Sequence, residues 1–271
     1  MPGIVTKGLI IIGIQILSVA FVNSAIAKPV QVCDDGAEWP PYIYYQRDNN
    51  TINKEQLTGA TKDLMDRIFS IAGLEYTVEL IPWNRCLNEV KSGSRYEMLS
   101  NAGSNPERME NYHRSLAIYS TTPGVFFSKT KFPQGVKLSG AKDLNQYKLC
   151  GIRGYNYEMY LKAGVKDEVD MGTDNAQATL SKVLSGRCDI FLSIIEPIFG
   201  AVAIGQYQLD ANLSHEPVPG IEPTKFYLWV SRKSSRAEDL LEKVNQGIRQ
   251  LQENGEAETI YKKYLPGGTG L

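Results

Sequence analysis

The sequence predicts an α/β protein made of two similar units joined by two crossings of the chain. Three observations carry that reading. A β-α-β-α-β alternation runs through residues 30–100. A second strand-helix series runs through 147–195. Each series is followed by an extended segment rich in Pro, Gly and β-formers, TTPGVFFSKTKFPQGVK after the first and HEPVPGIEPTKFYLWVSRK after the second. Alternating strands and helices of this kind signal a mainly parallel sheet with helices on its faces.

The elements follow in order. VQVC (30–33) reads as a strand. TGATKDLMDRIFSIAG (58–73) reads as a helix, with Leu64, Ile68 and Ile71 at helical spacing, Thr61 as its cap and Gly73 as its stop. YTVELIP (76–82) alternates as a strand, NRCLNEVKSG (84–93) is a helix stopped by Gly93, and YEMLS (96–100) is a strand. In the second unit, YKLCGIRG (147–154) is a strand ending in a Gly turn, and YNYEMYLKAG is a helix. AQATLSKVLSG (176–186) is a helix capped by Asp174 and stopped by Gly186. CDIFLSII (188–195) is a continuous apolar strand, as a sheet centre requires. The chain closes with two helices broken at Asn254-Gly255. A chain that leaves one unit, builds a second and returns makes a two-strand hinge, which a ligand in the cleft can close. The expected division is 28–122 with 223–271 as lobe 1 and 123–222 as lobe 2, with hinge strands near 122–128 and 218–226.

Of the 271 residues, 42% are hydrophobic and 22% charged, and the formal charge of -1 holds no basic excess for nucleic acid. Residues 1–27 read as a secretory signal: Lys7, an apolar run from about Leu9 to Val22, then Ala25-Ile26-Ala27 as a small-x-small cleavage site. Export to the periplasm changes how Cys33, Cys86, Cys150 and Cys188 read. An even count in an oxidising compartment suggests two disulfides. The expected pairing, Cys33–Cys86 and Cys150–Cys188, keeps each bridge inside one lobe; four buried thiols are the alternative. No CxxC spacing occurs, His113 and His215 stand alone, and no metal or cofactor is expected.

Few residues stand out for chemistry. Arg108, in NAGSNPERME, sits past a strand end where a helix should begin. Its planar fork of donors suits a carboxylate, and a helix N-terminus beside it favours an anion. Taken alone, the Arg reads first as a solvated surface charge. Asn101 and Gly103 precede it. In GIRGYNYE (151–158), Gly154 can take positive φ and turn the following N–H groups toward the cleft, with Arg153, Tyr155 and Asn156 beside it. Glu196 follows the apolar strand and precedes Pro197. Beyond a strand end it can receive an ammonium group, or it can merely stabilise a helix N-terminus. Trp39 and Trp83 sit where strands give way to loops, and the prolines of WPPY stiffen the loop that carries Trp39 and Tyr42.

In their order, WPPY, DLMDRIFSIAGLEY, PWNRCLNEVKSG, NPER, YKLCGIRGYNYE, LSKVLSGRCDIF and VNQGIRQLQENGEAETIYKKYL resemble the periplasmic solute-binding proteins of the amino-acid-binding type, family 3. The resemblance covers about Val30 to Leu265. It implies a two-lobed, periplasmic-binding-protein-like (type II) flytrap. It implies a carboxylate-binding role for Arg108, ligand stacking for Trp39 with Tyr42 behind it, a pocket wall at Trp83, and backbone donors at Gly154, Tyr155 and Asn156. Glu196 lies a residue or two off the position of the ammonium-binding Asp. The implied function is capture of a small polar solute, an amino acid or related carboxylate, by a monomer that delivers it to the membrane permease of an ABC importer. Presentation to a receptor and a dehydratase-like enzyme on the same fold are the alternatives; the sequence holds no nucleophile elbow, and Glu196 is the one candidate general acid.

Overall fold

The computed structural model describes residues 1–3, 28–48 and 51–265; the expected signal segment falls largely outside the described residues. The elements run β1 (Val30–Asp35), β2 (Tyr44–Asp48), β3 (Thr51–Thr58), α1 (Ala60–Ala72), β4 (Tyr76–Ile81), α2 (Trp83–Ser92), β5 (Met98–Gly103), α3 (Pro106–Asn111) and β6 (Tyr112–Thr121). They continue with β7 (Pro123–Ser128), β8 (Leu149–Ile152), α4 (Glu158–Lys162), β9 (Val169–Thr173), α5 (Ala176–Leu184), β10 (Ile190–Ile194), α6 (Ile195–Ala203) and β11 (Leu213–Pro217). β12 (Thr224–Ser231), α7 (Ala237–Glu253) and α8 (Glu256–Tyr264) complete the chain.

Two five-stranded sheets form the two lobes, ordered β4-β1-β5-β12-β6 and β11-β7-β10-β8-β9. β1 lies parallel to β4 and β5, and β8 lies parallel to β9 and β10. The returning strands β12 and β7 pair antiparallel with β5 and β10, so both sheets are mixed. The chain passes between sheets at Thr122, which separates β6 from β7, and again between β11 and β12.

Helix periodicity places the cores. Leu64, Met65, Ile68 and Phe69 of α1 pack with Leu240, Val244 and Ile248 of α7 against one face of the first sheet. The other face is covered by α2, through Trp83, Cys86 and Val90, around Trp229. In the second lobe Leu180 and Val183 of α5 cover Phe126 and Phe191, while Tyr160 closes the opposite face. Both disulfides form as expected, Cys33–Cys86 tying α2 to β1 and Cys150–Cys188 tying β8 to the segment before β10.

Two capping expectations are corrected. Gly59, not Thr61, occupies the N-cap of α1; the Thr61 hydroxyl instead donates to Asn101 Oδ1 at 2.7 Å. Asn175, not Asp174, caps α5, its Oδ1 accepting from the Ala178 N–H. Both stops on lobe 1 hold: Gly73 and Gly93 take the left-handed conformation that ends α1 and α2. The sequence reading also passes over β6 and the β2–β3 hairpin.

Candidate ligand-binding site

The C-terminal ends of β1 and β5 open toward lobe 2, where open α/β sheets place their ligands. A chamber between the lobes is lined there by Asp34, Trp39, Arg108 and Phe226 of lobe 1 and by Tyr155 and Ser193 of lobe 2, among others. Its water-accessible cavity volume is about 50 Å³, room for several waters or a small solute. A wider groove continues outward from it past Asp35, Trp39 and Tyr155 to the β2–β3 hairpin.

Arg108 is the centre of the chamber. Asn105 caps α3 through its side chain and Pro106 opens the helix, which fixes the turn that sends Arg108 inward. Its side chain is buried, with the residue 5% exposed. One guanidinium nitrogen donates to the Gly103 carbonyl at 2.8 Å and the other to the Gly154 carbonyl of lobe 2 at 3.4 Å. The Trp83 ring lies 5.6 Å from the guanidinium carbon. Among the described residues no carboxylate pairs with it. Burial holds this guanidinium down to about 10 from the usual 12.5, the response of a cation that has lost water and gained no counter-ion.

The WPPY loop places Trp39 at the chamber wall. Its peptide N–H donates to Ile43 O and its carbonyl accepts the Ile43 N–H in return, closing a tight loop around a cis Pro40–Pro41 bond. Beneath it Glu38, at φ 65°, accepts from Tyr45 N–H and from both terminal nitrogens of Arg47, which pins the hairpin to the loop. The Trp39 indole N–H donates to Tyr119 Oη at 3.0 Å, and its ring packs edge-on to Tyr155 and tilted against Phe226. Tyr42 points the other way. It is fully buried, stacked on Tyr119 at 3.9 Å, and takes no part in the chamber.

The other expected residues divide. Asn101 and Gly103 line the chamber, Asn101 in the left-handed region, accepting from Thr61 and Tyr119 and donating to Asp34. Trp83 lines it too, and its indole N–H donates to Gly154 O at 3.0 Å. Gly154 thus turns its carbonyl, rather than donors, toward lobe 1. Tyr155 donates to Asp35 Oδ2 at 2.7 Å, and Asn156 donates to Ser104 O at 2.9 Å. Arg153 is outside the chamber, ion-paired with Asp174 on the outer groove. Glu196 is also absent from the lining: both of its oxygens accept the Thr122 N–H, at 2.9 and 3.0 Å, so it braces the hinge from the first turn of α6.

Asp34 and Asp35 were missed by the sequence reading, which ended the first strand at Cys33. Asp34 is 1% exposed and accepts from Ser100, Asn101 and the Asp35 N–H. Burial pushes it up to about 7. Asp35 accepts from Ala37 N–H and Tyr155, and burial raises it as well. Two consecutive acids at the end of an apolar strand were the available signal.

The lobes are closed on one another. Besides the contacts of Gly154, Tyr155 and Asn156, Gln206 donates to Ala37 O, and Gly200 of α6 meets the backbone of the WPPY loop. A Cβ at Gly200 would stand 2.5 Å from the Pro40 carbonyl carbon and 2.7 Å from Pro41 N. Gly200→Ala is therefore expected to prop the lobes apart, while the helix itself gains roughly 0.5–1 kcal/mol from losing a mid-helix glycine. In small-angle scattering the wild-type chain should contract on adding ligand. The variant should remain extended and bind at least about tenfold more weakly. Contraction equal to wild type would sink the prediction.

Two α/β lobes joined by two crossings of the chain thus enclose a buried cation that has no carboxylate partner among the described residues. The family model for bacterial extracellular solute-binding proteins, family 3, matches residues 31–267, and the chain belongs to that family. The arginine-binding extracellular protein ArtP of Bacillus subtilis (strain 168) is 24% identical over 249 residues, covering 90% of this chain and 89% of that protein. Among solved structures, the arginine-, lysine-, histidine-binding protein ArtJ of Geobacillus stearothermophilus superposes with a TM-score of 0.69 at 19% identity, over 89% of this chain and 96% of that one. A histidine kinase sensor domain with similarity to periplasmic binding proteins reaches 0.70 at 19% identity, over 89% and 97%.

Proposed function

We propose that the protein captures a small polar solute bearing a carboxylate, and that Arg108 receives that carboxylate as the lobes close. In this reading the protein is exported through residues 1–27 and hands its solute to the permease of an ABC importer, acting as a binder and not as an enzyme. The single observation that carries it is the Arg108 guanidinium, buried in the interlobe chamber with two backbone carbonyls for partners and, among the described residues, no carboxylate. A charge in that position is costly unless paired, and a bound carboxylate supplies the pair. Trp39 and Trp83 provide the apolar walls, and contacts from both lobes let the solute shift the balance from open to closed. The binding of basic amino acids by ArtP and ArtJ fits such a solute class.

The test is a thermal-shift screen of the chain from Lys28 onward against amino acids, their derivatives and small carboxylates. A solute that binds only the native state raises Tm by mass action. At least one carboxylate should raise Tm, and the matching amide or amine should not. A screen in which only uncharged or purely cationic solutes shift Tm would reject the reading.

A further inference from the structure

We infer that the Thr224 hydroxyl is a second donor to the solute carboxylate, beside Arg108. The inference rests on the preceding reading that Arg108 receives that carboxylate, and it adds a contact made from the second crossing of the chain. Thr224 opens β12, the strand on which the chain re-enters lobe 1, and it lines the chamber. Its Oγ1 is buried and has no hydrogen-bond partner among the described residues. Buried polar atoms are nearly always paired, because an unpaired one has given up water and gained nothing. A solute that reaches both the orphan hydroxyl and the buried guanidinium relieves both.

The two groups meet at Gly103. Its carbonyl accepts from Arg108 Nη1 at 2.8 Å. Gly103 faces Phe226 across the β5–β12 pair, and Thr224 stands two residues earlier, on the same face of β12. A Cβ added to Gly103 would lie 3.6 Å from Thr224 Cγ2. The glycine therefore gives Arg108 an acceptor and sets no side chain against Thr224. The Thr224 backbone is fixed in turn, its carbonyl accepting from the Thr121 hydroxyl at 3.2 Å. The donor count also leaves room for a hydroxyl. A guanidinium has five N–H groups and a carboxylate accepts about four hydrogen bonds. Arg108 already spends two donors on the Gly103 and Gly154 carbonyls. It cannot fill every acceptor position of the carboxylate, and a hydrogen bond from a hydroxyl to a charged oxygen is among the stronger kinds.

The test titrates the chain from Lys28 onward with the twenty protein amino acids, acetate, lactate, pyruvate and succinate, followed by thermal shift. Wild type, Thr224→Val, Thr224→Ser and Arg108→Gln are compared. Val keeps the branched shape and removes the hydroxyl; Ser keeps the hydroxyl. Every probe that wild type binds should bind Thr224→Val at least about tenfold more weakly, the worth of a hydrogen bond to a charged group. Thr224→Ser should stay within about threefold of wild type, and Arg108→Gln should lose binding. Unliganded Thr224→Val should melt no lower than wild type, because the hydroxyl it lacks had no partner. Wild-type affinity in Thr224→Val with binding lost in Arg108→Gln overturns the Thr224 contact and leaves the Arg108 seat standing. Binding that survives Arg108→Gln, or a wild type that no probe shifts, overturns both. A loss confined to probes with polar side chains moves the contact off the carboxylate and overturns the assignment. So does an unliganded Tm several degrees lower in Thr224→Val, which would make the hydroxyl structural.

Discussion

Arg108→Gln should abolish solute binding and leave the unliganded fold close to its former stability. The two effects have one origin. Among the described residues the guanidinium donates to the carbonyls of Gly103 and Gly154 and meets no carboxylate. Its descent from 12.5 to about 10 under burial corresponds to about 3 kcal/mol against the charged form. Removing the charge removes that penalty. The two lost hydrogen bonds, each from a charged donor and so worth roughly 1.5–3 kcal/mol, offset that gain, and the net change in the unliganded fold is small or slightly unfavourable. In the bound state the loss is larger. Truncating one partner of a buried, hydrogen-bonded charge pair costs roughly 2–5 kcal/mol, or about 30-fold and upward in Kd. Thermal melts with and without the solute measure both effects together. The wild type should show a solute-dependent rise and the variant none, from an unliganded Tm within a few degrees of wild type. An unliganded Tm many degrees below wild type would mean that Arg108 mainly holds the structure together. That role would have to run through Gly154, because its carbonyl is the acceptor shared by Arg108 and Trp83 across the lobes.

The legible part of this molecule is the part governed by pattern. Apolar spacing in DLMDRIF and the glycines that follow each helix fix the α/β alternation, because burial of one helix face and relief of a left-handed stop are local requirements. NPER marks the inward turn at Arg108 for the same reason: the Asn cap and the Pro at the first helical position are local signals. The illegible part depends on where a single side chain turns. Trp39 and Tyr42 are three residues apart in one tight loop, yet one faces the chamber and the other stacks on Tyr119 in the core. Glu196 sits beyond the right strand, but the first turn of α6 rotates it to the hinge. The β2–β3 hairpin lacks any alternation to read, since most of β3 is exposed on both faces. Asp34 and Asp35 escape because an acid pair after a strand ordinarily reads as a solvated turn. Here the sheet carries them inward, to Ser100, Asn101 and Tyr155.

That inward placement makes stability depend on pH through Asp34. Its folded value of about 7 lies above the ordinary 3.8, so between those values the native state keeps a proton that the unfolded chain has released. Where the native state binds more protons, stability falls as pH rises. The penalty is absent below pH 3.8, grows through the window up to about 7, and is constant above it. Integrated across that window it amounts to about 4 kcal/mol. Asp35 is raised in the same direction and adds to the trend. Asp34→Asn removes the titration but keeps a carbonyl to accept from Ser100 or Asn101. In melts of the unliganded chain from pH 4 to pH 8, the wild-type Tm should decline relative to the variant, with the gap opening as pH rises through that window. The variant should be the more stable of the two at pH 8. If the two curves run parallel over the whole range, Asp34 is ionised in the native state throughout, and the donors from Ser100, Asn101 and Asp35 outweigh its loss of water.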